Sequence, residues 1–293
     1  MNQNLAGAAL MLLGMAVFAV NDAIGKWLVA DYGVAQVILL RSLAALAVLA
    51  VVMLRTDALA RLRATPRPGV QALRAACTTL EVFCFYYAVQ HLPLADVMAF
   101  WMAGPILVVA VSPLVLGESV SARAWVAVLA GFLGVLVLLG PSASMFAPAA
   151  IIALIGTAAF AAMMVLGRFL RATPDSSLVL FQTLAAAVAG LVLAPVGWAP
   201  LQSGTDLSLL LLLGIVAMVA HVLVTRALKL AEAAVVAPLQ YTLLVWGVIF
   251  GWLFFDDIPA PEMMLGAALI VGSGLFLLRR SPPAETQLSE PSP

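Results

Sequence analysis

The chain has 293 residues, 65% of them hydrophobic and 10% charged, with zero formal net charge and a mean hydropathy of +1.14. Soluble domains carry about 25% charge and 45–50% apolar residues, so a water-soluble globule and a disordered chain are both excluded. Two cysteines and two histidines exclude a disulfide framework and a histidine-rich metal site, and the balanced charge points away from nucleic acid as a partner.

Ten apolar stretches follow one another at about 5–26, 34–54, 70–90, 94–115, 124–140, 148–167, 176–196, 207–228, 233–254 and 262–279. A membrane-crossing helix needs about 20 mostly apolar residues. The stretches lack the strict alternation of barrel strands. The expected fold is an all-α integral membrane bundle of ten transmembrane helices, with lipid as its solvent. No basic run precedes the first stretch, so it reads as a retained span and not a signal peptide.

Taken in chain order, the polar and aromatic residues inside the spans mark the working surface. A charged group at a helix centre costs about 2.5–3.5 kcal/mol on the insertion scale, so each needs a reason. Span one carries Asn21 and Asp22; Asn21 is a substrate-binding candidate, whereas Lys26 one turn after Asp22 predicts a local ion pair. Arg41 in span two is expected to be structural, snorkelling outward or pairing with Asp22 or Asp96. Span three holds Cys77 and Cys84, read as packing residues, and Glu81 near the midplane. Glu81 is a candidate for a substrate amine or a proton, and Phe85 stacks one turn above it. Trp101 lies roughly 10 Å into span four at 1.5 Å per residue, too deep for an interfacial belt. His221 in span eight and Gln240 and Tyr241 in span nine complete the binding candidates. Pro105 and Pro238 interrupt spans four and nine and are hinge candidates. Gly131, Gly134 and Gly190 allow close helix contact.

Basic residues sort to one side. Apart from Lys26 and Arg41, 12 of the 14 lysines and arginines fall in loop 2–3 and its flanks (Arg74 among them), in loops 4–5, 6–7 and 8–9, and at the end of span ten. Positive charge marks the cytoplasmic face, which places both termini inside. The tail Ser281–Pro293 is Pro-rich and polar and is expected to be disordered.

The first five spans repeat as the second five. Gly14-x3-Phe18 through Gly25-Lys26 matches Gly156-x3-Phe160 through Gly167-Arg168. Arg41-Ser42-Leu43-Ala44 matches Gln182-Thr183-Leu184-Ala185. The run from Ala88 to Glu118 matches Ala227 to Asp257. This alignment pairs Trp101 with Gln240 and sets His221 within one residue of the mate of Glu81. The halves are 1–140 and 147–280, followed by the tail 281–293. An odd number of spans per half forces opposite orientations, and inverted repeats place the substrate site near the midplane between them.

The order of Pro105, Gly117-Glu118, the run Ala234-Val235-Val236-Ala237-Pro238-x-x-Tyr241 and the Gly266–Gly274 stretch resembles the EamA-type halves of the drug/metabolite transporter superfamily. The YddG-type amino-acid exporters are the branch it resembles most. The resemblance covers all ten spans and implies a central cavity with spans five and ten at the periphery. One departure is Asp256-Asp257, where the family more often has Gly-Glu.

No motif for catalysis is present. There is no GxxxxGK[ST] loop, no HExxH and no CxxC, and no cofactor is called for. The reading is a carrier in a bacterial inner membrane that exports small amphipathic metabolites, with amino acids as the best single class. A monomer is compatible with these features. The alternatives are export of lipophilic or quaternary cations countered by Glu81, and a flippase or membrane enzyme acting on lipid intermediates. Short outer loops nearly free of basic residues count against headgroup phosphate binding, and nothing resembles a selectivity filter.

Overall fold

Inside a bilayer the backbone has no water to bond to, so apolar stretches of this length close their hydrogen bonds within helices. The computed structural model describes residues 3–54, 67–92, 94–140, 147–195, 197–255 and 260–278. These form α1 (Gln3–Asp31), α2 (Val34–Leu54), α3 (Pro68–His91), α4a (Leu94–Trp101), α4b (Gly104–Leu116), α5 (Ala122–Leu139), α6 (Ala149–Phe169), α7 (Asp175–Leu193), α8 (Gly204–Leu230), α9a (Ala233–Val236), α9b (Thr242–Phe255) and α10 (Pro261–Leu278). A 3₁₀ segment, Ala237–Tyr241, joins α9a to α9b. Among the described residues nine helical stretches are long and apolar enough to cross a membrane, and α10 is a shorter tenth. The tail after 280, Arg55, Arg61, Arg63 and the Asp256-Asp257 pair lie outside the described residues.

The two expected kinks are breaks at matching places in the repeat. Pro105 follows Gly104 at the start of α4b. It lacks the N–H that would bond to the Trp101 carbonyl, so α4 stops at Trp101. Pro238 likewise cannot bond to the Ala234 carbonyl, and the chain tightens into 3₁₀ geometry there. Trp101 and its mate Gln240 therefore sit at the two interruptions.

The helices pack in pairs that a two-fold exchange of the halves maps onto one another. α1 lies on α8, and the mates α6 and α3 lie together. α2 packs on α7 and α5 on α10, each pair mapping onto itself. The fold is thus two inverted five-helix repeats. The matched glycines Gly14 and Gly156 occupy equivalent crossings. A Cβ on Gly14 would stand 3.1 Å from Val224 of α8, and one on Gly156 would stand 2.7 Å from Cys84 Cβ of α3. Gly190 permits the α7–α2 approach, where a Cβ would be 2.9 Å from the backbone nitrogen of Leu39. Gly134 meets the carbonyl of Gly266 between α5 and α10.

Hydrogen bonds tie the halves at both ends of the bundle. At the basic end Arg168, closing α6, donates to Glu118 at 2.6 Å and to the Leu228 and Lys229 carbonyls at 3.1 Å. The backbone N–H of Ala233 donates to the other Glu118 oxygen at 3.2 Å. Nearby, Lys229 pairs with Asp175 and donates to the Thr173 carbonyl. At the opposite end the Tyr32 hydroxyl donates to Asp206 at 2.7 Å, and Gln36 exchanges two hydrogen bonds with the backbone of Ala199.

Candidate functional site

A cavity of about 70 Å³ lies between the halves. It is lined from α1 by Met15, Phe18, Asn21 and Asp22, from α2 by Arg41, and from α3 by Glu81, Val82, Phe85 and Tyr86. Met98, Trp101 and Met102 close it from the break in α4. The second half supplies Phe160, Met163, His221, Gln240 and Leu243. No lining residue comes from α5 or α10, which pack against each other at the periphery.

The structure brings six of the sequence candidates together here: Glu81, Trp101, Gln240, His221, Asn21 and Phe85. Tyr241 does not join them. Its neighbour Gln240 takes the inward direction, and the Tyr241 ring turns into the gap left by Gly131 while its hydroxyl donates to the Val128 carbonyl at 3.1 Å. Tyr241 is an anchor for the 3₁₀ segment and not a wall of the cavity.

Two further expectations need correction. Asp22 was expected to pair with Lys26. Instead it lines the cavity and accepts from the Asn21 amide at 3.0 Å, while Lys26 is exposed and makes no ion pair among the described residues. Arg41 was expected to act structurally by snorkelling outward or pairing with Asp22 or Asp96, and the outward course is what changes. Arg41 is 7% exposed, points into the cavity, and donates to the Tyr86 hydroxyl at 2.8 Å. It forms no ion pair with Asp22 or Glu81, the two acids of the cavity.

Several of the polar and aromatic side chains are held by a neighbour. Trp101 Nε1 donates to Glu81 Oε1 at 2.8 Å, and the Phe85 ring meets the Trp101 indole edge to face at 5.2 Å. Gly156 of α6 makes room for that indole: a Cβ there would stand 2.5 Å from Trp101 Cη2. His221 packs edge-on against Phe18 at 5.1 Å. The three charged side chains, Asp22, Arg41 and Glu81, all come from the first half, whereas the second half presents two rings, one thioether, an alkyl group and an amide. The site offers one guanidinium and two carboxylates that are not bonded to one another, beside apolar and aromatic surface. That suits a small molecule with both a positive and a negative end.

Phe18 and Phe160 are lining residues that sequence reasoning passed over, although both close the Gly-x3-Phe signature of the repeat. A second miss is Arg74, counted among the loop arginines. It is 2% exposed and donates to Gln182 at 2.8 Å and Thr225 at 3.4 Å, bridging α3 to α7 and α8. Among the described residues no set of His, Cys, Asp and Glu is arranged to hold a metal ion.

The model of the EamA-like transporter family matches this chain twice, over residues 5–140 and 147–279. The protein belongs to the EamA-like transporter family. It is 31% identical to the pseudopaline exporter CntI of Pseudomonas aeruginosa over 93% of this chain and 96% of that protein. It is 27% identical to a riboflavin transporter of Brucella anthropi, covering 92% and 97% of the two chains. An S-adenosylmethionine uptake transporter of Rickettsia prowazekii is 24% identical over 93% and 92%. A crystal structure at 20% identity superposes with a TM-score of 0.77 over 95% of this chain and 99% of its own, a likeness of fold alone. This EamA-family chain is a multi-pass membrane transporter of small molecules and not an enzyme.

Proposed function

We propose that this transporter moves small zwitterionic metabolites, amino acids foremost, out of a bacterial cell across the inner membrane. The observation that carries this reading is the charge arrangement around the cavity. Arg41 is placed for a carboxylate, and Glu81 with Asp22 for an ammonium, none of them neutralised by an ion pair with another. Phe18, Phe85, Trp101 and Phe160 supply apolar surface for a side chain, and aromatic faces also attract cations.

Alternating access between the halves follows from the inverted repeat. Ligand pockets occupy roughly 300–1,000 Å³, well above the cavity's 70 Å³. Loading therefore requires the halves to part at one end. The basic end is taken as cytoplasmic on the positive-inside rule; a phosphatase reporter fused after residue 293 stays inactive on this topology.

Counterflow in proteoliposomes tests the substrate class. Vesicles loaded with an amino acid should accumulate the labelled form above empty controls. No flux for any amino acid would overturn the reading. A quaternary cation moving alone would favour the cation-export alternative, which the two acids and aromatic walls also accommodate. The relatives include both an exporter and an uptake transporter, so direction is fixed by loading each side of oriented vesicles in turn.

A further inference from the structure

The pseudo-two-fold axis relates Trp101 to Gln240, yet their polar atoms are treated differently. The single donor of Trp101 is met by Glu81 at 2.8 Å. Gln240 is 0% exposed on the wall of the same cavity, and neither its amide oxygen nor its amide nitrogen has a partner among the described residues. An amide offers two donors and a two-lone-pair acceptor, and leaving such a buried group unmet carries its full desolvation penalty. Asn21, also buried, spends its nitrogen on Asp22, and its oxygen has no partner among the described residues. Gln240 is held in this position by its neighbours. Pro238 begins the 3₁₀ turn, and Tyr241 is clamped by its hydroxyl to Val128 on α5 and by its ring against Gly131.

We infer that Gln240 is a specificity-determining residue that reads a neutral donor–acceptor edge on the cargo: a carboxamide, lactam or imide with C=O and N–H side by side. This inference rests on the cavity being the substrate site. The chemistry selects the ligand class. A carboxylate only accepts and an ammonium only donates, so either satisfies one atom of Gln240. An amide edge satisfies both in one planar, bidentate contact. The charged side chains of the first half then hold the ionic ends of the cargo, and the second half reads its neutral end. A site built to hydrogen-bond a ligand group rejects the analogue that lacks it far more strongly than an apolar pocket rejects a missing methylene.

Two matched pairs test this by titration calorimetry on the purified full chain: L-glutamine against L-norleucine, and benzamide against acetophenone. The wild type should bind the amide of a pair at least ten-fold more tightly, and Gln240→Met should bring that ratio close to one. A wild-type ratio near one in both pairs overturns the proposal, whether or not the variant folds. A folded Gln240→Met that keeps the ratio also overturns it, as does failure of all four ligands to bind. The pairs separate this inference from the amino-acid reading. Preference for benzamide with neither amino acid bound keeps Gln240 as the reader and removes the zwitterion. Amino-acid binding with no amide preference keeps the carrier and removes the reader.

Discussion

Arg168 at the end of α6 donates to Glu118, beyond the end of α4b, at 2.6 Å, so one carboxylate joins the two halves at the basic end. The same carboxylate accepts from the backbone of Ala233, and Arg168 also caps two carbonyls at the end of α8. The side chains are 9% and 14% exposed. Removing one partner of a buried pair costs roughly 3–5 kcal/mol, with this partly exposed pair at the lower end. The Arg226–Asp175 pair is longer, at 3.3 Å, with Arg226 55% exposed, and exposed pairs contribute about 0–1 kcal/mol. Arg168→Ala should lower the thermal midpoint of the detergent-solubilised protein clearly, and Arg226→Ala barely. Equal shifts would show that the clasp holds the halves no better than a surface pair does.

Trp101 fixes the Glu81 carboxylate with its only donor. Hydrogen bonds to charged groups contribute about 1.5–3 kcal/mol, and 1.4 kcal/mol is a factor of ten in an equilibrium constant. Trp101→Phe keeps an aromatic wall and releases the carboxylate. Counterflow half-saturation for the best amino acid should rise about ten-fold. Glu81→Gln keeps a hydrogen-bond acceptor but removes the counter-charge, and should abolish flux of that amino acid. An unchanged half-saturation in Trp101→Phe would place the substrate elsewhere.

The ten spans were legible because a bilayer demands long apolar helices, and the breaks because Pro105 and Pro238 remove donors that a regular helix needs. Helix facing was the harder problem. Spans apolar on every side give no stripe to orient them, so Tyr241 and Gln240, adjacent in sequence, could not be told apart; the structure sends one to α5 and the other to the cavity. Asp22 was read with Lys26 when it accepts from Asn21 beside it, and Arg41 was read as snorkelling or seeking an acid when its partner, the Tyr86 hydroxyl, is on another helix. Arg74 was misplaced for the same reason: its partner Gln182 is on α7. The repeat carried more than was taken from it, since Phe18 and Phe160 are both lining residues.

Gly156 and Gly214 both allow close approach, but to different atoms, and the two should fail differently. A Cβ on Gly156 would collide with the Trp101 indole at 2.5 Å, whereas one on Gly214 would fall 1.9 Å from the Arg41 carbonyl oxygen. The indole can turn aside and α3 must give a little at Cys84 Cβ, 2.7 Å away, whereas the α2 backbone at Arg41 must give much more, which moves α8 off α2. Overpacking costs typically 1–3 kcal/mol. Gly214→Ala should sit at the upper end of that range and lower the thermal midpoint or yield. Gly156→Ala should lower the midpoint less than Gly214→Ala does and lose transport by displacing Trp101. A Gly156→Ala protein with wild-type counterflow would show that the indole position is not critical.

Arg41 gives the sharpest separation of the two cargo classes. Its guanidinium donates to the Tyr86 hydroxyl and lies 5.6 Å from the centre of that ring, so its fork is oriented before any cargo arrives. A planar fork matches a carboxylate in two parallel hydrogen bonds, which a lysine ammonium cannot reproduce. Arg41→Lys keeps the charge and should still reduce phenylalanine counterflow about ten-fold or more. Phenethylamine, the same molecule without its carboxylate, should move at an unchanged rate if it moves at all. Tyr86→Phe, which frees the guanidinium to swing, should fall between wild type and Arg41→Lys for phenylalanine. Equal losses for both molecules in Arg41→Lys would mean that Arg41 supports the helix bundle and does not receive the carboxylate.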